Sequence, residues 1–367
     1  MNTARVRSCS ASWLSLLLTA ILLIASGCDS TGGGGGAGGG ASGGGGASGG
    51  GGAGGGGAGF MTGDTIPGII LQAAHGGRAE IKAQGSFDSS TGQWTVILSR
   101  SQTTNTPTQD VQFDLSGAAN LFGFSVAILD NAGGKPEIML PQDVKAYTLG
   151  NESSAADLRA QPVGDEPTSA ADFTGPALTT VPTDPTGAAP VTLQANYDSK
   201  NVYILAVWTD LSGTESVNRK QWEFDGTNWS QPGGRNEDRI AMMFDINTTD
   251  WVAGGPGCAL YCHVGEEPGD GGRMRTNNPG ETLDMWHWKA ARSNPMGFAD
   301  DKYVIYADAA DTEKKTRKGD DGDAVDSDNE DSTGTLPAWM AVNDPRANAP
   351  YLIILLEGSA PAVPFEP

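Results

Sequence analysis

Two cysteines and a histidine lie close together in the segment Gly257–Arg292: Cys258, Cys262 and His263. A cysteine pair that ends in Cys-His is typical of covalent haem attachment, in which the thiols bond to the porphyrin and the histidine binds the iron. That motif has two residues between the cysteines, whereas Ala259–Tyr261 makes three here. The spacing therefore leaves three interpretations open: covalent haem attachment, a disulfide across a tight loop, and a zinc site.

A methionine follows in a loop rich in Gly, Pro and Arg, where apolar packing is a weak explanation for Met274. A thioether is a soft ligand that binds haem iron and raises its reduction potential. Trp286 and Trp288 are two residues apart, so on a strand their side chains share one face. The sequence allows them either to wall a flat apolar cofactor or to belong to a sandwich core.

Short alternating segments rich in β-forming residues recur along the chain, and no long stretch has a helical period. This pattern predicts an all-β sandwich or barrel with long loops and few short helices. The predicted strands are Trp94–Arg100, Val111–Leu115, Phe122–Leu129, Val191–Asn196, Val202–Trp208, Ile240–Phe244, Tyr303–Tyr306 and Tyr351–Leu355.

Composition divides the chain into five parts. Residues 1–27 carry a short basic region and an apolar stretch of signal-peptide length. Residues 28–59 are mostly Gly and predict a flexible tether. The predicted strands fall in residues 60–150 and 191–367, and residues 151–190, rich in Ala, Pro, Thr and Asp, predict a surface linker. The first piece is too small for a thick core of its own, so the two pieces are expected to complete one sandwich.

The end of the signal resembles a bacterial lipobox, in which small residues precede the cysteine that becomes the acylated N-terminus, here Cys28. The alternative is an uncleaved anchor helix over Trp13–Ser26. The lipobox predicts a lipid-anchored protein of the bacterial cell envelope that faces the periplasm or the cell surface. In that oxidising compartment Cys258 and Cys262 are able to form a disulfide.

The chain is strongly acidic, with 44 Asp and Glu against 23 Lys and Arg and a formal net charge of −21. This charge disfavours a nucleic-acid-binding protein, which must neutralise phosphates. Five aspartates in the loop Gly319–Glu330 offer the hard oxygen ligands that calcium prefers. Their spacing does not match an EF-hand, and a solvated charged loop is the other interpretation. Outside the Gly-rich tether, hydrolase motifs of the Gly-x-Ser-x-Gly or zinc-protease kind do not occur.

Several segments resemble the haem-binding domain of ethylbenzene dehydrogenase, the gamma-subunit-like cytochrome of the dimethyl-sulfoxide reductase family. They are Asn201–Asp210, Asp238–Ile246, Cys258–His263, Asp284–Lys289 and Asn294–Asp301. The resemblance implies an immunoglobulin-like or carbohydrate-binding-module-like β-sandwich that holds one b-type haem. It implies a protein that transfers electrons to a redox partner in the periplasm or envelope without catalysing a reaction itself.

The resemblance also assigns the haem ligands. Met274 occupies the position of the family's methionine ligand, and Lys135 lies where the second ligand is expected. His263 competes for the iron, which makes Met274, His263 and Lys135 the candidate metal ligands. Lys289 is expected to neutralise a haem propionate or a nearby aspartate. The haem is expected to be b-type, with c-type attachment through Cys258 and Cys262 as the alternative.

The order of the matching segments differs from the family's. Gly63–Pro67 and Phe124–Asn131 look like parts of the family's C-terminal half, yet they precede the N-terminal half in this chain. This order predicts a circular permutation, with a truncated tandem repeat as the alternative. The competing functional hypothesis is a haemless β-sandwich module that binds glycan or protein on a surface lipoprotein, because fold alone does not fix function.

Overall fold

The structure is a computed structural model. It describes residues 60–129, 146–180, 190–233, 235–249, 251, 274–308, 311, 314–322, 324–341, 352–353 and 362–365. The predicted signal segment, the tether and Cys28 lie outside these residues. Within the described ranges, no helix has the length and apolar character needed to cross a membrane.

The described residues form β-strands joined by loops and a few single helical turns. The first strands are β1 (Thr65–Ile66), β2 (Ile69–Leu71), β3 (Ile81–Asp88), β4 (Gln93–Ser101), β5 (Phe122–Leu129), β6 (Tyr147–Asn151), β7 (Leu158–Pro162), β8 (Leu178–Thr179), β9 (Val191–Tyr197) and β10 (Asn201–Thr209). The later strands are β11 (Trp222–Phe224), β12 (Trp229–Ser230), β13 (Arg239–Asp245), β14 (Thr282–Lys289), β15 (Phe298–Ile305), β16 (Arg317–Gly319), β17 (Asp326–Asp328), β18 (Trp339–Ala341), β19 (Leu352–Ile353) and β20 (Ala362–Pro364). Short 3-10 helices span Gly76–Ala79, Ala170–Asp172 and Asn294–Met296.

The main sheet closes on itself, in the order β10-β4-β3-β15-β14-β13-β5-β6-β7-β9, and β9 then pairs with β10. The all-β prediction is confirmed, but the predicted two-sheet sandwich is replaced by this closed ring. The physical reason is the chain between β5 and β9: β6 and β7 pair in parallel, and β7 pairs in parallel with β9. In a two-sheet sandwich β5 and β9 would each be an edge strand. Here β6 and β7 lie between them and connect the two edges.

The segment 151–190 therefore differs from the predicted surface linker. Leu158 and Ala160 of β7 are fully buried, and Arg159 between them is exposed, which is the alternation of a half-buried strand. Strands of residues 60–150 also pair with strands of residues 191–367, at β3–β15, β4–β10 and β5–β13. The two pieces consequently share one hydrophobic core.

The core lies inside the ring and is rich in aromatic side chains. Trp94 stacks on Trp208 with ring centroids 6.2 Å apart, and it meets the edge of Trp288 at 5.0 Å. Phe244 packs against Trp286 at 4.9 Å. Aromatic side chains bury more apolar area than any others, so these rings account for much of the core's stability.

The segment Val111–Leu115 was predicted to be a strand but runs through the ring without joining the ladder. Its alternating apolar side chains are buried as predicted. Its amides find other acceptors, because Val111 donates to the Asp284 carboxylate at 3.0 Å and Phe113 to the Gln102 carbonyl at 2.7 Å. A buried carboxylate and a single main-chain carbonyl thus replace the strand neighbour that the alternation suggested.

Gly85 of β3 allows the backbone to approach the aromatic core closely. A Cβ at this position would lie 2.9 Å from Cε2 of Trp288 and 2.9 Å from the Asn294 side-chain oxygen. We expect Gly85→Ala to lower the free energy of unfolding by about 1–3 kcal/mol, because the indole must move in a packed core. Urea denaturation measures the change. Gly164→Ala, at an exposed site with open space around it, is the control, and equal midpoints for both variants would contradict the prediction.

Candidate functional site

Strand β14 separates two chemically different faces. Its sequence, Thr282–Lys289, alternates so that one set of side chains enters the ring and the other lies on its outer face. Asp284, Trp286 and Trp288 point inward to the core. Leu283, Met285, His287 and Lys289 lie on the outer face.

The two inward tryptophans are fully buried, and Trp286 and Trp288 belong to the aromatic core. The indole nitrogen of Trp286 donates to Asp284 at 3.3 Å, and that of Trp288 donates to Asn294 at 3.2 Å. The sequence left two interpretations open for these residues, a cofactor wall and a place in the core. Their burial favours a place in the core, which here is the core of the closed ring.

The outer face carries an apolar cluster that contains three methionines. We call Met243, Met274 and Met285 the methionine patch. Met274 is half-buried and packs in this cluster, which also includes Leu283 and Val304. Met274 and the tryptophans thus lie on opposite faces of β14, and the structure does not bring them together as one cofactor wall.

A basic group continues the same outer face beyond the methionine patch. In the strand register Arg239 lies beside Lys289, and His287 lies beside Asp300. Asp300 accepts hydrogen bonds from Lys289 at 2.5 Å, Lys302 at 2.7 Å and Arg78 at 2.6 Å. The Lys289 contact agrees with the predicted pairing to a nearby aspartate.

Burial and charge shift the protonation of this group. Burial raises the pKa of Asp300, but Lys289 and Lys302 lower it more, so the net pKa lies well below its usual range. Burial lowers the pKa of Lys289 to about 8, although the Asp300 charge opposes this shift. The aspartate is therefore ionised at neutral pH, and the lysine paired with it still carries its proton there.

The imidazole of His287 lacks hydrogen-bond partners on the described part of this face. It is buried, and neither ring nitrogen has a hydrogen-bond partner among the described residues. Burial first, and then the positive charge of Lys289 and Arg317, lower the pKa of His287 well below its usual value. The imidazole is consequently neutral at physiological pH, which is the form that binds metals.

Sequence reasoning missed His287 and Arg239 as site residues. Nε and Nη2 of Arg239 are also buried without a hydrogen-bond partner in the described ranges. The signal was present, because His287 is two residues from both Met285 and Lys289 and so shares their face.

The other predicted ligands, Lys135, Cys258, Cys262 and His263, lie outside the described residues, as does the lipidation site Cys28. The described chain leaves β5 at Leu129, whose register partner is Arg239 on the outer face. A second gap, which contains the cysteines and His263, follows Trp251 and ends at Met274 within the methionine patch. One described end of each gap, Leu129 and Met274, therefore lies on the outer face.

Fold and site together define an all-β protein whose closed sheet carries thioether, imidazole and basic side chains on one outer face. The sequence matches the ethylbenzene dehydrogenase family over residues 53–136 and 163–366, and the chain belongs to this family. The predicted family is thereby confirmed. Comparison with curated proteins and with solved structures gave no match. The predicted circular permutation stays a prediction.

Proposed function

We propose that this protein binds one haem and transfers electrons in the bacterial cell envelope, held to the membrane by a lipid at Cys28. The observation that carries the proposal is the outer face of β14, which has the apolar patch with Met274 towards one end and the unpartnered imidazole of His287 and buried cations towards the other. Membership of the ethylbenzene dehydrogenase family supports it. A redox partner protein in the periplasm or envelope completes the proposal.

The donor chemistry of the face fits a haem. A haem has a wide apolar ring, an iron that accepts soft and nitrogen ligands, and two propionates. The methionine patch offers apolar contact and a thioether, and His287 offers a neutral imidazole. Arg239 has two buried nitrogens without an acceptor, and such groups are suited to a carboxylate.

Each protein group has a definite task in this proposal. Bound haem iron supplies a one-electron change of oxidation state. Met274 would be the first candidate ligand of the iron, with Lys135 or His263 as the second. Arg239 would neutralise a propionate, Lys289 neutralises Asp300 beside it, and the apolar patch would exclude water. Non-covalent, b-type binding is the proposed mode, and attachment through Cys258 and Cys262 is the alternative.

The absorption spectrum tests the proposal directly. The full chain, expressed with its signal segment in a host supplied with haem, is expected to show a Soret band after purification. A spectrum without this band, even after haemin is added to the purified protein, would reject haem binding. Acid acetone is expected to extract all of the haem, whereas haem retained in the protein would establish thioether bonds.

A haemless binding module is the second candidate, and a groove on another part of the molecule favours it. Phe60, Phe224 and Trp229 line this groove together with Thr227 and Asn228. Aromatic faces beside polar groups are typical of sites that bind sugars or peptides. Under this hypothesis the purified chain has no Soret band, and Met274→Ala leaves ligand binding intact.

A further inference from the structure

Four aspartates are buried together on the inner side of the ring. Asp110, Asp284 and Asp301 are fully buried, and Asp320 is 3% exposed. We call these residues the carboxylate cluster. Asp284 and Asp301 lie on the inward faces of β14 and β15, opposite to the face of the proposed haem site, so the cluster is independent of that proposal.

Three members of the cluster meet closely. One carboxylate oxygen each from Asp110, Asp301 and Asp320 lies within 4.8 Å of the other two. Such a spacing allows one ion to contact all three groups. Carboxylate oxygens are hard ligands, and the preferred ions of such a ligand set are calcium, magnesium and manganese.

The charge of the cluster is not balanced by the described residues. Nη1 of Arg100 lies 2.7 Å from Asp284, 3.4 Å from Asp110 and 4.0 Å from Asp301. Within the described ranges this guanidinium is the cation that makes ion pairs with the cluster, so one positive charge faces four carboxyl groups. Buried charges without a partner are strongly unfavourable.

Unpartnered oxygen atoms are the second, independent observation. Both carboxylate oxygens of Asp301, both of Asp320 and Oδ1 of Asp284 accept no hydrogen bond from the described residues. Asp110 differs, because the hydroxyls of Thr104 and Thr106 donate to it at 2.6 Å and 2.5 Å. Buried polar atoms almost always have a partner in native proteins, and five without one in a single place point to a missing ligand.

We propose that Asp110, Asp301 and Asp320, with Asp284 beside them, bind a Ca²⁺ ion. Calcium suits the cluster better than magnesium, because calcium accepts irregular and bidentate carboxylates whereas magnesium keeps several waters in a regular octahedron. A site buried to this degree has little room for those waters. Arg100 balances part of the remaining negative charge.

This site differs from the calcium loop that the sequence suggested. Of the aspartates in Gly319–Glu330, Asp320 enters the cluster. Asp328 pairs with Lys220 at 2.6 Å, and Asp326 lies 3.8 Å from Arg292. The ligands thus come from separate parts of the chain, which no local motif in the sequence displays.

Without a cation the same carboxyls would have to hold protons. Burial, with the charge of Asp284 adding to it, raises the pKa of Asp301 well above its usual value. Burial and the neighbouring Asp110 charge raise the pKa of Asp320 to about 8. A cluster that is protonated and never binds metal is therefore the competing state, and the experiment is designed to separate the two.

Thermal unfolding of the full chain at pH 7.5, after removal of metals with a chelator, provides the test. Ca²⁺ at a hundredfold excess over its dissociation constant is expected to raise Tm by about 5 °C, because the ion binds only the folded state. Isothermal titration is expected to give one site. The absence of a response to Ca²⁺ would overturn the proposal, and a response confined to Mg²⁺ or Mn²⁺ would overturn the calcium assignment.

Asp301→Asn distinguishes a ligand from a merely structural residue. The variant replaces one carboxyl group of the crowded cluster by a neutral amide, so its Tm in chelator is expected to equal or exceed that of the parent chain, and its response to Ca²⁺ is expected to disappear. Asp321→Asn, at the exposed neighbour of Asp320, is the matched control and should keep the full response. A Ca²⁺ response that survives in Asp301→Asn would contradict the proposed site.

Discussion

Replacing Arg100 by methionine is expected to lower the free energy of unfolding by about 3–5 kcal/mol, the loss typical when one partner of a buried ion pair is removed. The guanidinium donates to Asp284 at 2.7 Å and to the Val111 carbonyl at 2.5 Å. It also lies over the ring of Trp286 at 5.0 Å. Because a typical domain is stable by only about 5–15 kcal/mol, most of the stability would be lost.

Urea denaturation in the presence of a chelator measures this loss, and Arg159→Met at an exposed position is the control. The double variant Arg100→Met with Asp284→Asn separates charge from packing. If unpaired carboxylates cause the loss, the double variant is more stable than Arg100→Met alone, because one uncompensated charge has been removed. Additive losses in the double variant would show that packing, and not charge, dominates at this position.

The second large effect is expected at Met274, on the assumption that the proposed haem site is correct. Met274→Ala removes the thioether from the methionine patch, so haem affinity should fall by about 10-fold or more, the range seen when a metal centre loses supporting groups. The reduction potential of the remaining haem should fall as well, because a thioether ligand raises it. Spectroscopic redox titration and haem transfer measure both effects.

Met296→Ala is the matched control for that experiment, because Met296 is half-buried like Met274 but lies in the short helix Asn294–Met296 away from the patch. His287→Gln, tested in parallel, asks whether the unpartnered imidazole contributes. A haem-loaded Met274→Ala variant with the parent spectrum and potential would remove Met274 from the ligand set. A lost or shifted spectrum in His287→Gln with an unchanged Met274→Ala would assign the ligand to the imidazole.

The strands could be predicted because their alternation is a local property of the sequence. Trp94–Arg100, Val202–Trp208 and Ile240–Phe244 were each predicted nearly to their observed bounds. The closure of the ring could not be predicted in this way. The closure depends on β6 and β7, which are short strands in and beside a segment with the composition of a linker. It also depends on parallel pairings, β6 with β7 and β7 with β9, which alternation along one strand does not indicate.

The candidate site was predictable in part for a similar reason. The alternation within Thr282–Lys289 states that Trp286 and Trp288 share one face and that Met285, His287 and Lys289 share the other. It does not state which face enters the core, since both sets contain large apolar side chains. That choice depends on what packs against the strand, namely Trp94 and Trp208 inside the ring.

The sequence by itself determined that this chain is built of strands, that it belongs with the ethylbenzene dehydrogenase family, and that Met274 lies near a Trp-His-Trp-Lys strand. Only the tertiary structure decided that the sheet closes, that Met274 faces away from the tryptophans, and that Asp110 meets Asp301 and Asp320. Period and composition are fixed by neighbours along the chain. The pairing of strands far apart in the sequence decides which face of a strand is buried. The same pairing decides which distant carboxylates meet inside the ring.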